Sequence, residues 1–251
     1  MIICQGPRNR FQLISWDTRS DKLQYGHLVR ALTSAADCDL SPDGELFAYW
    51  ARRSYAPQAK IWLAISRPPF LTAIALWFLE EPPAQEPTFL SDRVIRGLPR
   101  GAPDQGALPK SIRRDFDARR GTRGEDRHLL DGWCKGGGRT VETIEGDSLE
   151  ILWYREQPRG DWVLCAAMPR KKPSSRRSYV MRRGERVVHP LVTGFPSDWD
   201  QSGRLILTQG DQIFAAPAAN PLGQPKLILD LRSAPAEMFP SPDWATKWPR
   251  A

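Results

Sequence analysis

Ala36-Asp37-Cys38-Asp39-Leu40-Ser41-Pro42-Asp43-Gly44-Glu45-Leu46-Phe47-Ala48-Tyr49-Trp50 is the stretch whose reading decides the fold. It predicts a short strand, a tight turn at Ser41-Pro42-Asp43-Gly44 and a second strand. Proline presets φ at the second turn position, aspartate hydrogen-bonds nearby backbone, and glycine accepts positive φ. Glu45 to Trp50 is aromatic and aliphatic, the composition of a strand with little exposure. One such hairpin suits any β protein.

Recurrence narrows the choice. Tyr154-Arg155-Glu156-Gln157-Pro158-Arg159-Gly160 precedes Asp161 to Ala167. Phe195-Pro196-Ser197-Asp198-Trp199-Asp200-Gln201-Ser202-Gly203 precedes Arg204 to Thr208. Phe239-Pro240-Ser241-Pro242-Asp243-Trp244 begins the phrase again. Gly160 and Gly203 lie 43 residues apart, and Phe195 and Phe239 lie 44 apart. Four-stranded propeller blades repeat at roughly 40–45 residues. A further fragment, Phe11-Gln12-Leu13-Ile14-Ser15-Trp16-Asp17, ends in Trp-Asp and is followed by a polar turn and Lys22-Leu23-Gln24-Tyr25. With these repeats the chain resembles the WD40 and related β-propeller proteins, over about two thirds of its length. It lacks the regular Gly-His pair of the strict WD40 pattern. The resemblance implies an all-β β-propeller whose work is binding protein partners.

The intervals predict about five four-stranded blades, with six as the alternative. The chain starts on what reads as the last two strands of a blade and ends, over Met238 to Trp248, on what reads as the first. The N- and C-terminal strands are therefore expected to share one composite blade, which would remove a sheet edge. The best complete blade spans 36–79, with strands near 36–40, 45–51, 59–66 and 70–79. Length suits a single domain over 1–251. A loop-rich insertion is expected at about 80–127, where proline, glycine and charge replace any hydrophobic period.

Ten tryptophans and 41% apolar residues can form a core, and 23 prolines with 19 glycines suit short strands rather than long helices. Ile61 to Leu79 is nearly long enough to span a bilayer. Arg67 and Pro68-Pro69 break it, so it reads as two inner strands joined by a turn. The N-terminus shows no charged region ahead of an apolar one, so no secretion signal is expected. Cys4, Cys38, Cys134 and Cys165 form no Cys-x-x-Cys pair, and His27, His128 and His189 are scattered. No metal or cofactor is expected, and buried thiols point to a reducing, cytoplasmic setting.

Lys135-Gly136-Gly137-Gly138-Arg139-Thr140 has its lysine ahead of the glycines and no helix after them, so it reads as a strand turn rather than a phosphate loop. No Gly-x-Ser-x-Gly elbow or His-Glu-x-x-His is present. Propeller hydrolases place carboxylates around a channel, and Asp37, Asp39, Asp43, Asp161, Asp198, Asp200 and Asp211 are the candidates. Most fall at turns, where aspartate serves the backbone.

The strongest signal beyond the fold is Arg170 to Arg186, with eight basic residues and one acidic. Its contact candidates are Arg170, Lys171, Lys172, Arg176, Arg177, Arg182, Arg183 and Arg186, with Tyr179 able to stack on a base. The insertion adds Arg113, Arg114, Arg119, Arg120 and Arg123. Net charge is +7, with a sequence pI near 9.5. The expected function is a non-enzymatic, protein-interaction adaptor or scaffold, a subunit of a larger cytoplasmic assembly with acidic partner surfaces favoured. The alternative is a nucleic-acid-binding propeller that contacts phosphates through 170–186. A channel-site hydrolase is the third reading.

Overall fold

The computed structural model describes residues 2–6, 10–31, 38–53, 60–116, 133–142, 148–169, 178–184, 186–191, 197–233 and 239–249. Among these the chain is all-β, with two short 3-10 turns and no α-helix. Its contacts gather in two compact units. One holds residues 1–17, 22–126 and 235–251, the other 18–21 and 127–234.

The first unit begins with β1 (Ile2–Gly6), β2 (Arg10–Asp17) and β3 (Lys22–Arg30), an antiparallel meander. The next meander is β4 (Cys38–Leu40), β5 (Phe47–Arg53), β6 (Lys60–Ser66) and β7 (Ala73–Leu79). These match the four expected strands of the best blade. The apolar Ile61–Leu79 stretch is indeed two paired strands, with Arg67 and a cis Pro68-Pro69 peptide between them. No helix among the described residues is long and apolar enough to cross a membrane.

The second unit holds β12 (Cys134–Lys135), β13 (Thr140–Glu142), β14 (Ser148–Glu156), β15 (Trp162–Pro169), β16 (Ser178–Arg183) and β17 (Arg186–Leu191) in one sheet. A four-stranded meander follows: β18 (Ser197–Trp199), β19 (Leu205–Gln209), β20 (Gln212–Ala216) and β21 (Lys226–Asp230). Four sheets are therefore built as antiparallel meanders, the up-and-down sheet of a propeller blade. The fold is of the β-propeller class, with four blades where the sequence intervals suggested about five.

The shortfall lies between 80 and 116. Here β8 (Thr88–Ser91) and β9 (Val94–Arg96) make a hairpin, β11 (Arg113–Asp115) pairs with β9 in parallel, and β10 (Gln105–Gly106) extends the sheet of β7. A hairpin with one parallel strand is not a blade. Neither is the described part of it a loose insertion: Phe89, Ile95, Leu98 and Ile112 are buried in one cluster with Leu46, Leu63, Ile65 and Trp77.

The Ser41-Pro42-Asp43-Gly44 turn has the predicted chemistry. Gly44 sits at φ +76°, and its N–H donates to the Ser41 carbonyl at 2.8 Å. Asp43 Oδ1 accepts from Ser41 Oγ at 2.5 Å and from the Glu45 N–H at 3.0 Å. The same turn holds the β8–β9 hairpin. Asp43 N–H donates to Asp92 Oδ1 at 2.9 Å, and Arg93 donates to Asp43 Oδ2 at 2.9 Å and to Glu45 Oε2 at 3.2 Å. One strand earlier, Asp39 Oδ2 accepts from the Phe89 N–H at 2.7 Å. Burial raises the Asp43 pKa, but the hydrogen bonds from Ser41 and Glu45 and the charge of Arg93 outweigh it and hold the carboxyl below its ordinary range.

The second unit repeats the device. Asp200 Oδ1 accepts from the N–H of Ser202 and of Arg204 and from Ser202 Oγ, all within 2.9 Å. Its Oδ2 accepts from Arg204 Nε at 2.7 Å, and Arg204 also reaches Asp21 at 2.9 Å. Gly203 is at φ +83°, where a Cβ would lie 2.6 Å from the Pro158 carbonyl oxygen. Asp198 accepts both hydrogen bonds of Arg155 Nη1, at 2.6 and 2.7 Å, so β18 is tied to β14. Beneath these contacts Trp133, Trp153, Trp162 and Trp199 share one buried cluster.

The C-terminal segment differs from expectation. Residues 239–249 add no strand to β1–β3. A 3-10 turn at Asp243–Thr246 forms instead, because Pro240, Pro242 and Pro249 remove the N–H groups a ladder needs. The segment straps the first unit through side chains. Ser241 Oγ meets His27 Nε2 at 3.1 Å and also the Thr72 hydroxyl. Trp244 packs edge-on to Phe70 and beneath Arg67, and Trp248 Nε1 donates to the Ala107 carbonyl at 2.8 Å. Deleting 239–251 should lower the melting temperature, and an unchanged melt would contradict the strap. Asp200→Ala should cost about 2–4 kcal/mol in urea unfolding, since it leaves the Arg204 Nε–H and two backbone donors without their acceptor. The exposed Glu142→Ala should change stability by less than about 0.5 kcal/mol.

Candidate functional site

The structure places the nominated cations unevenly. Arg170, Lys171, Lys172, Arg176, Arg177, Arg119, Arg120 and Arg123 lie outside the described residues. The hairpin after them is present. β16 and β17 pair from Tyr179↔Leu191 to Arg183↔Arg186, which puts positions 182, 183 and 186 next to its turn, with Gly184 at φ +59°. Arg183 is exposed, donates to Asp161 Oδ2 at 2.7 Å and lies 5.4 Å from the centre of the Trp162 ring. Arg182 is half-buried. Tyr179 is edge-on to Trp133 at 6.4 Å and packs on the tryptophan cluster, so its ring serves the core rather than standing open for a base. Below them, burial pushes the Cys165 thiol up to about 11 against the opposing charge of Arg182.

In the first unit, Arg113 is exposed and Arg114 is committed to structure. Arg114 Nη1 donates to the carbonyls of Pro99, Arg100 and Gly101 at 2.8, 2.7 and 2.9 Å. Trp77 Nε1 donates to the same Gly101 carbonyl at 3.2 Å. Residues 99–101 are thus fixed from two sides. Arg96 is 8% exposed and donates to Asp115 Oδ2 through Nε and Nη2 at 2.9 and 2.8 Å. That two-pronged contact locks β11 onto β9.

These clamps build an open cleft of about 360 Å³, walled by Leu79, Pro83, Leu98 and Pro99 and edged by Glu81, Asp115, Arg100 and Phe116. Phe116 is 50% exposed although Asp115 before it is held by Arg96. The Arg100 guanidinium lies 5.5 Å from the centre of its ring. Among the described residues Arg100 meets no carboxylate and Glu81 meets no cation. An aromatic face, a cation, a carboxylate and apolar walls therefore converge on one rigid feature. No family model matches this chain, and neither a curated protein nor a solved structure matches it.

The sequence points to arginines of the 80–127 insertion but to neither Arg100 nor Phe116. A signal was present: Phe116 is the sole aromatic between Gly97 and Arg127. A lone aromatic in a charged run has few apolar partners within its own segment. The turn aspartates that could serve as acids are instead bound by backbone and arginine, as Asp39, Asp43, Asp198 and Asp200 show. Among the described residues no group of three His, Cys, Asp or Glu side chains could hold a metal ion.

One further pair has the look of catalysis. Ser241 Oγ is within hydrogen-bonding distance of His27, but Leu71 N–H donates to His27 Nδ1 at 3.2 Å. The proton of the neutral ring therefore sits on Nε2, which donates toward Ser241 and is no base for it. Burial lowers the His27 pKa below 6.5, while a hydrogen bond to the Phe239 backbone pulls the other way. A depressed pKa means the unfolded chain takes up the proton first. Stability from His27 is fully present above its unfolded pKa and is lost as pH falls through the folded value. Protonation would also set an Nδ1–H against the Leu71 N–H. Unfolding free energy should therefore fall between about pH 7 and pH 5, and His27→Gln should flatten that part of the profile relative to the parent.

Proposed function

We propose that this chain is a non-enzymatic protein-interaction module, an adaptor within a larger cytoplasmic assembly, built on divergent WD40-like blades. The observation that carries the reading is the cleft edged by Arg100 and Phe116. Exposing half of a phenylalanine ring on a surface braced by the Arg96–Asp115 and Arg114 clamps costs hydrophobic free energy that a partner would recover. Exposed aromatic and arginine side chains on fixed supports are the residue types that dominate binding at protein interfaces. The arginines at the β16–β17 turn offer a second basic contact. Cys38, Cys134 and Cys165 are free thiols, which suits a reducing compartment.

Affinity purification from the native host, with and without nuclease, tests the proposal. Stoichiometric protein partners should persist after nuclease treatment. Partners that vanish with nuclease would move the function to nucleic acid, and a protein that elutes alone would overturn the adaptor reading.

A further inference from the structure

We infer that the cleft beside Arg100 and Phe116 is a docking site for an extended acidic peptide, whose carboxylate side chain pairs with Arg100 and whose flanking apolar residues lie on Leu79, Leu98 and Phe116. This names the partner chemistry for the interaction module proposed above and rests on that reading.

Three features point to this occupant. The first is charge. Arg100 is exposed, and no carboxylate among the described residues neutralises it. A guanidinium resting against an aromatic ring keeps its N–H groups in its own plane, at the edge, where a carboxylate can take two of them. The ring also narrows the arginine's freedom before binding, so less conformational entropy is lost on pairing. The second is the balance of the lining. Glu81 and Asp115 stand at the same cleft, with Asp115 already paired to Arg96. A phosphate backbone brings several negative charges past a site with one unpaired cation and a facing carboxylate, which is repulsive. A peptide brings one carboxylate for Arg100 and backbone N–H groups that Glu81 can accept. The third is shape. The walls include leucine and proline, and the cleft is open to solvent rather than enclosed around a small molecule. An extended chain laid along such a surface alternates its side chains between wall and solvent.

The support beneath is stiff for a reason that fits this use. Arg114 holds three consecutive carbonyls of the strip that carries Arg100, and Arg96 holds the residue before Phe116. The backbone positions from which the cation and the ring project are therefore held in the free protein. A site organised in advance binds without a rearrangement cost.

The test uses the full chain and fluorescence anisotropy with a fluorescein-labelled peptide of sequence Pro-Leu-Glu-Leu-Pro-Leu, and a matched peptide with glutamine for glutamate. The parent protein should bind the glutamate peptide about tenfold or more tightly than the glutamine peptide. Arg100→Ala and Phe116→Ala should each weaken binding by a similar factor with melting temperatures unchanged, and Arg100→Lys should restore only part of it. Excess oligo-dT and excess N-acetylglutamate amide should fail to displace the peptide. Equal affinity for the two peptides, no loss in the two alanine variants, or displacement by oligo-dT or the amino-acid amide would each overturn the inference. If Arg100→Glu retains every nuclease-resistant partner in affinity purification, the cleft assignment falls while the interaction reading stands.

Discussion

Carboxylates at the turns are the constraint on which the rest depends. A β-hairpin needs only a turn residue with the right φ, and Gly44 and Gly203 supply it. Asp43 and Asp200 do more. Each binds backbone N–H groups of its own turn and an arginine: Asp43 takes Arg93 from the β8–β9 hairpin, and Asp200 takes Arg204 of its own turn, which reaches on to Asp21. Asp200 is buried, and a buried carboxylate that loses such donors faces a desolvation cost with no return; at the more exposed Asp43 relaxing the turn breaks the contact with Arg93. Local geometry and tertiary position are thereby coupled. Asp39 and Asp198, one strand earlier, extend the coupling by binding the Phe89 N–H and Arg155.

That coupling explains how a short-stranded chain supports a binding surface. The Asp43–Arg93 and Asp39–Phe89 contacts fix the β8–β9 hairpin, and β9 in turn fixes β11 through the parallel ladder and the Arg96–Asp115 pair. β11 ends at Phe116. The exposed ring thus stands at the end of a chain of contacts that begins in the repeated turn. Arg114, one of the cations the sequence put forward for a partner, is spent inside this chain, while Arg100, which the sequence did not single out, is left facing the cleft.

The blades were legible because their signals are local. Alternating apolar runs and a Ser-Pro-Asp-Gly turn specify β4 to β7 within a few residues, and the spacing of the phrase marks its recurrence. The region after Leu79 was not legible. Its strands are two to four residues long, and their partners are chosen by side chains distant in sequence rather than by period. Proline and glycine there read as linker, although Phe89, Ile95 and Ile112 complete a core. The C-terminal phrase misled for a related reason. Phe239 to Trp244 carries turn residues, yet the prolines around it forbid a ladder, and Trp244 and Trp248 find ring and carbonyl partners instead. The site was half legible: its region was indicated by composition, but which arginine is free is decided by three carbonyls that no spacing reveals.

A double-mutant cycle on Arg155 and Asp198, read by urea unfolding of Arg155→Met, Asp198→Ala and the double variant, tests most directly whether turn-side carboxylates hold the sheets together. The account predicts a coupling free energy of about 1–3 kcal/mol, as for a hydrogen-bonded, half-buried ion pair. Losses that simply add, within about 0.5 kcal/mol, would contradict it.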